Sequence, residues 1–274
     1  LDEKDSVSGE YKYRNKIDLI YIDPPFMVQN DFVAENSIDI EVDEEEGVMS
    51  VKEPTIIETI AYKDTWQNGL DSFLQMMRER LELMKELLSP AGSIYVHLDW
   101  HTSHYVKVLM DEIFDYQLFR NEVIWYYPNK MSRSSKDFPK YKDSVLFYTK
   151  TVDNYFSEQK ILRDEPVQQS KRVWKDKKNM RARDESGNII YEMSYDITVN
   201  DVWTIPLIAS TSGERTGYPT QKPIELIQRI IKASCPNGGI VLDAFMGSGT
   251  TCEAAEQLAG ELNCSWIGID NSKF

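Results

Sequence analysis

Three cysteines stand in 274 residues: Cys235, Cys252 and Cys264. They are few, odd in number and far apart, which excludes both a disulfide framework and a CxxC metal site. They read as buried, reduced thiols of a cytoplasmic protein. Histidine is as scarce, and His97, His101 and His104 are the whole set. They lack a fourth ligand at metal-site spacing, so no metal is expected. No run of about 18 apolar residues occurs, which excludes a membrane-spanning helix. An initiating Met and a signal-peptide apolar core are also missing from the opening LDEKDS, so residues are expected to be lacking at the front. The closing WIGIDNSKF stops just after an expected strand, so the end is expected to be cut as well. Internal repeats and low-complexity tracts are absent. Positive charge is in deficit too: Lys and Arg number 31 against 45 Asp and Glu, a net charge of −14. That balance weighs against a nucleic-acid partner, because affinity for phosphates comes largely from Lys and Arg.

The distribution of charge softens this objection. Acid concentrates early, at Glu35, Asp39, Glu41 and Asp43 through Glu46. Base concentrates in the middle, first at Lys130, Arg133, Lys136, Lys140 and Lys142. It continues through Lys160, Arg163, Lys171, Arg172, Lys175, Lys177, Lys178, Arg181 and Arg183. Aromatic residues such as Trp125, Tyr126, Tyr127, Phe138, Tyr141 and Trp174 are interleaved there. A basic, aromatic-rich stretch suits nucleic acid, and a solvated charged surface has the same composition.

An apolar content of 41% supports one large α/β domain with room for a smaller insertion. Residues 17–22, IDLIYI, are short, apolar and β-branched, and read as a buried strand stopped by proline. Residues 31–66 lack clear periodicity and read as a long loop. From Leu70, apolar residues recur at helical spacing through Leu88, and Ser89-Pro90-Ala91-Gly92 ends that helix. Residues 93–98 read as a strand, followed by a helix to about Phe114. Residues 121–127 and 143–149 read as two further strands joined by a basic loop. Residues 150–205 carry little core-forming pattern and read as an inserted recognition region. Near the end come a helix over 223–233 begun by proline, a strand over 240–244, a helix over 250–258 and a strand over 265–269. Strands alternating with helices imply a mostly parallel, Rossmann-like sheet with helices on both faces. The expected organisation is a first half at 1–149, the insertion at 150–205 and a second half at 206–274.

Two segments carry chemistry, and each follows an expected strand. The first is Asp23-Pro24-Pro25-Phe26. The second runs from Asp243 through Ala244, Phe245, Met246, Gly247, Ser248, Gly249, Thr250 and Thr251. In open α/β sheets, ligands bind beyond the carboxyl ends of strands. Two glycines let backbone approach a ligand closely. Asp270 closes the next strand, where an acid can hydrogen-bond a ribose hydroxyl. A P-loop is excluded because Thr250, not Lys, follows the second glycine; a dinucleotide fingerprint is excluded because Cys252 stands where a third glycine or alanine belongs. Proline has no N–H, so Asp23-Pro24-Pro25 presents acceptors rather than donors. An aromatic amine is a poor nucleophile because its lone pair is delocalised into the ring. Acceptors at Asp23 and the Pro24 carbonyl would hold both amino hydrogens and localise that lone pair. Phe26 would stack on a base flipped out of the helix.

These motifs, in this order, resemble the permuted amino-methyltransferases of bacterial restriction–modification systems. The resemblance runs through YIDPPF at 21–26, GSIYVHLDW at 92–100, YKDSVLFYTK at 141–150, TQKP at 220–223, DAFMGSGTT at 243–251 and GID at 268–270. It implies a site-specific DNA methyltransferase that uses S-adenosyl-L-methionine and transfers methyl to adenine N6. It implies that Asp23, Pro24, Pro25 and Phe26 hold the target base. Asp243, Phe245, Gly247, Ser248, Gly249, Thr250 and Asp270 would bind cofactor. Thr220, Gln221, Lys222 and Pro223 would meet the cofactor's carboxylate at a helix N-terminus. His97 and Asp99 match the family's HxD strand end at the edge of the pocket. Lys130, Arg133, Lys171, Arg172, Lys175 and Lys177 would contact double-stranded DNA, with a homodimer or a restriction subunit as further partners. The family's Gly-Asp strand ahead of the DPP strand has no counterpart here, in line with the expected missing front. No Pro-Cys nucleophile of the cytosine-C5 kind is present. Cytosine N4 methylation, RNA adenine methylation and a non-catalytic DNA-binding subunit stay open as alternatives; RNA enzymes of this type usually carry Trp where this chain has Phe26.

Overall fold

The computed structural model describes residues 4, 11–26, 31–37, 56–63, 69–175 and 178–271. It divides into two compact units, residues 1–157 with 201–274, and residues 158–200.

In the larger unit, β1 (Ile17–Ile22) is buried on both faces, which its unbroken apolar run requires of a central parallel strand. Next comes an antiparallel ladder of β2 (Asp31–Ser37) and β3 (Ile56–Lys63), where a long loop was expected. The β-branched and aromatic content of IIETIAYK suits a strand, and periodicity alone missed it. Of the early acidic run, Asp39, Glu41 and Asp43 through Glu46 lie outside the described residues.

Helix α1 (Leu70–Leu87) buries Phe73, Met77, Leu81, Met84 and Leu87 along one stripe. Strand β4 (Leu88–Leu98) starts earlier than expected. Leu88 pairs with Ile17 and Ser93 with Leu19, so Ser89–Gly92 form a bulge inside the strand rather than only a helix stop. A Cβ on Gly92 would come 2.9 Å from the Ile17 carbonyl oxygen, so only glycine fits that bulge without a shift. Then follow α2 (Ser103–Phe114), β5 (Phe119–Tyr126) and β6 (Lys142–Thr149).

In the smaller unit, β7 (Lys160–Ser170) pairs antiparallel with β10 (Tyr191–Thr198), and β8 (Arg172–Lys175) with β9 (Lys178–Arg181). The expected insertion therefore contains strands. Residues 150–157 and 201–205 fall with the larger unit instead. There β11 (Val202–Thr204) joins β5 in parallel. The chain continues through α3 (Ile224–Ser234), β12 (Ile240–Asp243), α4 (Thr250–Gln257), α5 (Ala259–Leu262) and β13 (Ser265–Gly268).

The main sheet has seven strands in the order β11-β5-β6-β4-β1-β12-β13, all pointing one way except β6. Ile20, Ile22, Ile94 and Val96 pack with α1 and α2 in one core layer. Tyr95, on the opposite side of the pleat from Ile94, reaches Ser234 of α3 at 2.7 Å. Helices thus cover both faces. All three cysteines are free and buried, and burial pushes the Cys235 and Cys252 thiols up to about 12. No helix of the described residues is long and apolar enough to cross a membrane.

Candidate active site at the crevice between two parallel strands

β1 and β12 lie side by side, yet the chain leaves them in opposite directions: toward β4 through α1, and toward β13 through α4. Such a switch point leaves a crevice at the carboxyl ends of the two strands. A cavity of 710 Å³ fills it, within the usual range for small-molecule sites of roughly 300–1,000 Å³. Tyr21, Asp23, Pro24, Pro25 and Phe26 line one side. Asp243, Phe245, Gly247, Ser248 and Thr250 line the other, with Asp270 beyond.

Asp23 is held in an asymmetric way. Its Oδ2 accepts from the Lys222 ammonium in a closely packed ion pair. Its Oδ1 is buried and accepts no hydrogen bond from the described residues. An orphaned buried acceptor costs about 1–3 kcal/mol or more, so this oxygen favours a further donor. Lys222 also donates to the Thr220 carbonyl at 3.3 Å and stands 5.1 Å over the Phe26 ring. It was expected at the cofactor's carboxylate, and here its charge serves Asp23 instead.

Behind Phe26 lies a buried hydrogen-bonded row. His97 is fully buried, and its ring centre is 5.8 Å from that of Phe26. Its Nδ1 shares a 2.9 Å hydrogen bond with the Tyr21 hydroxyl, and its Nε2 meets Asp143 at 3.2 Å. The other Asp143 oxygen accepts from the Tyr127 hydroxyl. Burial alone would raise the Asp143 pKa, but the hydrogen bond and charge of His97, together with Lys222, hold it below the ordinary carboxylate value. Burial, then the charge of Asp23, pushes the Tyr21 phenol well up, so it stays a neutral hydroxyl. His97 therefore supports the pocket floor and does not line the cavity. Asp99 does not line it either. Its carboxylate accepts from the His101 N–H at 2.9 Å and the Thr102 hydroxyl at 3.4 Å, and it pairs with the His101 ring. It organises the start of α2.

On the far wall, Gly247 and Gly249 have φ of +52° and +81°, conformations that favour glycine. The Gly247 N–H donates to Asp270 at 2.7 Å, and a Cβ there would sit 3.2 Å from the Tyr218 ring. Asp243 accepts from the Phe245 N–H at 2.9 Å and from the Thr251 hydroxyl. Burial raises its pKa to about 7 despite those two bonds. Asp243 thus shapes the turn besides facing the cavity, while Gly249 lies outside the lining.

The expected anion site at α3 differs most. The N–H of Ile224 donates to the Glu214 carboxylate at 2.6 Å, so the helix start already holds an anion. Gln221 accepts from the Thr216 N–H and hydroxyl and donates to the Glu214 carbonyl, and neither it nor Pro223 lines the cavity. Thr220 and Lys222 do. Sequence reasoning missed Tyr218, Met76 and Arg80, which also line the cavity, and Asp143 beneath it. Arg80 was the most visible of these, a cation on the helix that otherwise supplies the core stripe. Among the proposed DNA contacts, Lys130 and Arg133 lie between β5 and β6. Lys171, Arg172 and Lys175 belong to the smaller unit, and Lys177 lies outside the described residues. No cluster of potential metal ligands occurs among the described residues.

A family model described as DNA methylase matches residues 17–274. The Type II methyltransferase M.HpaI of Haemophilus parainfluenzae is 26% identical over 94% of this chain and 65% of its own length. The DNA adenine methyltransferase YhdJ of Escherichia coli (strain K12) is 23% identical over 86% of this chain and 66% of its own length. The chain thus spans just under two thirds of each of these relatives. Among solved structures, the PvuII DNA methyltransferase, described as cytosine-N4-specific, is similar in fold. It has a TM-score of 0.54 at 13% identity, over 94% of this chain and 76% of that one.

Proposed function

This chain belongs to the DNA methylase family, and from that premise we propose that it transfers a methyl group to adenine N6 in double-stranded DNA. The donor is S-adenosyl-L-methionine, and the enzyme serves as the modification half of a restriction–modification pair. The observation that carries the proposal is Asp23 Oδ1, a buried acceptor without a donor among the described residues, beside a proline pair that offers only carbonyls.

The residues present fit the cofactor. S-Adenosylmethionine supplies, when bound, an electrophilic methyl on a cationic sulfur. The Asp270 carboxylate and the ring of Phe245 line the cavity, a setting that favours a cation, while Lys222 offsets the charge of Asp23. Gly247 lets backbone come close, and Asp270 ends the strand that follows, suited to ribose hydroxyls. On the substrate side, Phe26 stacks on the flipped base, held from behind by His97 and flanked by Lys222. Asp23 Oδ1 and the Pro24 carbonyl accept the two amino hydrogens and aim the nitrogen lone pair. The nitrogen so held would receive the cofactor's methyl group, and the proton that the amine then sheds would pass to solvent. Catalysis is then mostly positioning, and Asp23 need not be a strong base.

The adenine relative supports N6 as the acceptor; the likeness to the cytosine-N4 enzyme is one of fold, and makes N4 the second reading. The test is methyl transfer from labelled S-adenosylmethionine to unmethylated DNA, with the product nucleosides separated by mass spectrometry. N6-methyladenine is the expected product. N4-methylcytosine would change the base and keep the chemistry, and absence of transfer to DNA would overturn the reading.

A further inference from the structure

The connection between β5 and β6, residues 127–141, rises from the same edge of the sheet as Asp23–Phe26. β5 runs parallel to the strands of the crevice and ends there, and antiparallel β6 begins there. The connection is well tied down. The Tyr127 N–H donates to the Tyr141 carbonyl at 3.0 Å, and Asn129 exchanges two 2.8 Å hydrogen bonds with the backbone of Leu207. The Tyr141 hydroxyl bridges to the backbone of Ser132, and Ser134 turns the chain through hydrogen bonds to Lys136 and Asp137. At its root, Tyr127 bonds to Asp143, the residue that holds His97 beneath Phe26.

Two side chains contradict that order. Phe138 is 93% exposed and Met131 98%. A phenyl ring held almost wholly in water by a pinned loop gains nothing from its own chain, and its cover by a partner would be favourable. The loop's charge indicates what that is. Lys130, Arg133, Lys136 and Lys140 stand against the single acid Asp137, in a chain whose net charge is −14. Pro139 restricts the backbone of Phe138 to extended conformations. Lys140 also spans 4.7 Å to the ring of Trp100, at the end of β4.

We propose that Phe138 is a wedge that enters the DNA stack when the target base leaves it, while the four basic residues of the same loop engage the flanking phosphates. Apolar side chains inserted between base steps are a recognised way to offset unstacking. An enzyme that works on an extruded base leaves a gap of that kind. The proposal rests on the DNA methyltransferase reading and adds to it the residue that makes a paired base accessible.

The test compares wild type with Phe138→Ala on two duplexes, after the target base is mapped by sequencing methylated product. One duplex is fully paired; the other carries a mismatch opposite the target, which weakens its hold in the stack. The exposed ring makes few contacts, so the variant folds, and unchanged cofactor binding verifies this. Transfer by Phe138→Ala is expected to fall by about tenfold or more on the paired duplex and to return to near wild-type level on the mismatched one. Equal loss on both duplexes would make the loop a general DNA contact and overturn the wedge. No loss on either would overturn it as well. Wild type inactive on every DNA would instead overturn the methyltransferase reading, and the wedge with it.

Discussion

The crevice between β1 and β12 and the unit spanning 158–200 are built on opposite terms. In the crevice, side chains are packed and their hydrogen bonds assigned: Lys222 to Asp23, Glu214 to the start of α3, Asp270 to Gly247. The conspicuous exception is Asp23 Oδ1. In the smaller unit, two antiparallel ladders carry no buried side chain, and Ala182 just past β9 is the only buried residue of the unit among the described residues. Its charge is close to balanced, with nine basic and eight acidic residues. Counting its cations alone overstated its basicity; the compact excess of base lies between β5 and β6. On the proposed reading, chemistry depends on burial, which fixes geometry, whereas recognition depends on exposed side chains that can be exchanged without disturbing the core.

The sharpest way to break this comparison is at Asp23. Asp23→Ala should lower single-turnover methyl transfer by roughly 10³-fold with cofactor affinity little changed. Asp23→Asn, which keeps an acceptor and the side-chain volume, should lose less. Normal turnover in Asp23→Ala would remove the crevice from the chemistry. The complementary experiment removes the smaller unit. The Val199 N–H donates to the Gln159 carbonyl at 2.9 Å, so a short Gly-Ser turn can close the chain there. Cofactor affinity and thermal unfolding should survive, while binding to the recognition site drops toward the non-specific level, about 10³-fold or more. Loss of cofactor binding would show that the two units are not separable in role.

A smaller effect sharpens the burial half of the comparison. Burial raises the Asp243 pKa from 3.8 to about 7, so the folded chain keeps a proton that the unfolded chain has released. Its contribution to stability is therefore present at low pH and declines as pH rises from about 4 to about 7. Urea unfolding at pH 5 and pH 7 should show wild type losing more stability across that interval than Asp243→Asn. Equal losses would mean that Asp243 does not titrate there. The smallest effect belongs to exposed charge. If Arg172 and Lys175 meet phosphates, replacing each by Gln should lower the salt slope of DNA binding by about 0.9. An unchanged slope would leave both as solvated surface.

Strands and helices with strong patterns were legible at once. IDLIYI at 17–22 is apolar at almost every position because it is central, and the stripe from Phe73 to Leu87 has helical spacing because one face meets the core. The pairing of β2 with β3 was not legible, since its strands lack alternation and their partner is remote in sequence. The histidine at 97 looked like a pocket residue from its place at a strand end. Its depth was hidden, because burial depends on Phe26 from the loop after β1 and Trp125 of β5 packing against it.

The sequence by itself determined the α/β class and the two strand-ending motifs, and it suggested the chemistry proposed for them. Those follow from local pattern: apolar runs, proline that removes N–H donors, and glycine that tolerates left-handed backbone. Only the tertiary structure decided which charges meet. Lys222 is 199 residues from Asp23, and Glu214 caps a helix ten residues away from it in sequence. The first contact needs the sheet order that sets β1 beside β12, and strand order is set by packing of the whole core rather than by any stretch of chain; the second is local, but needs the turn before α3 to fold back on the helix start.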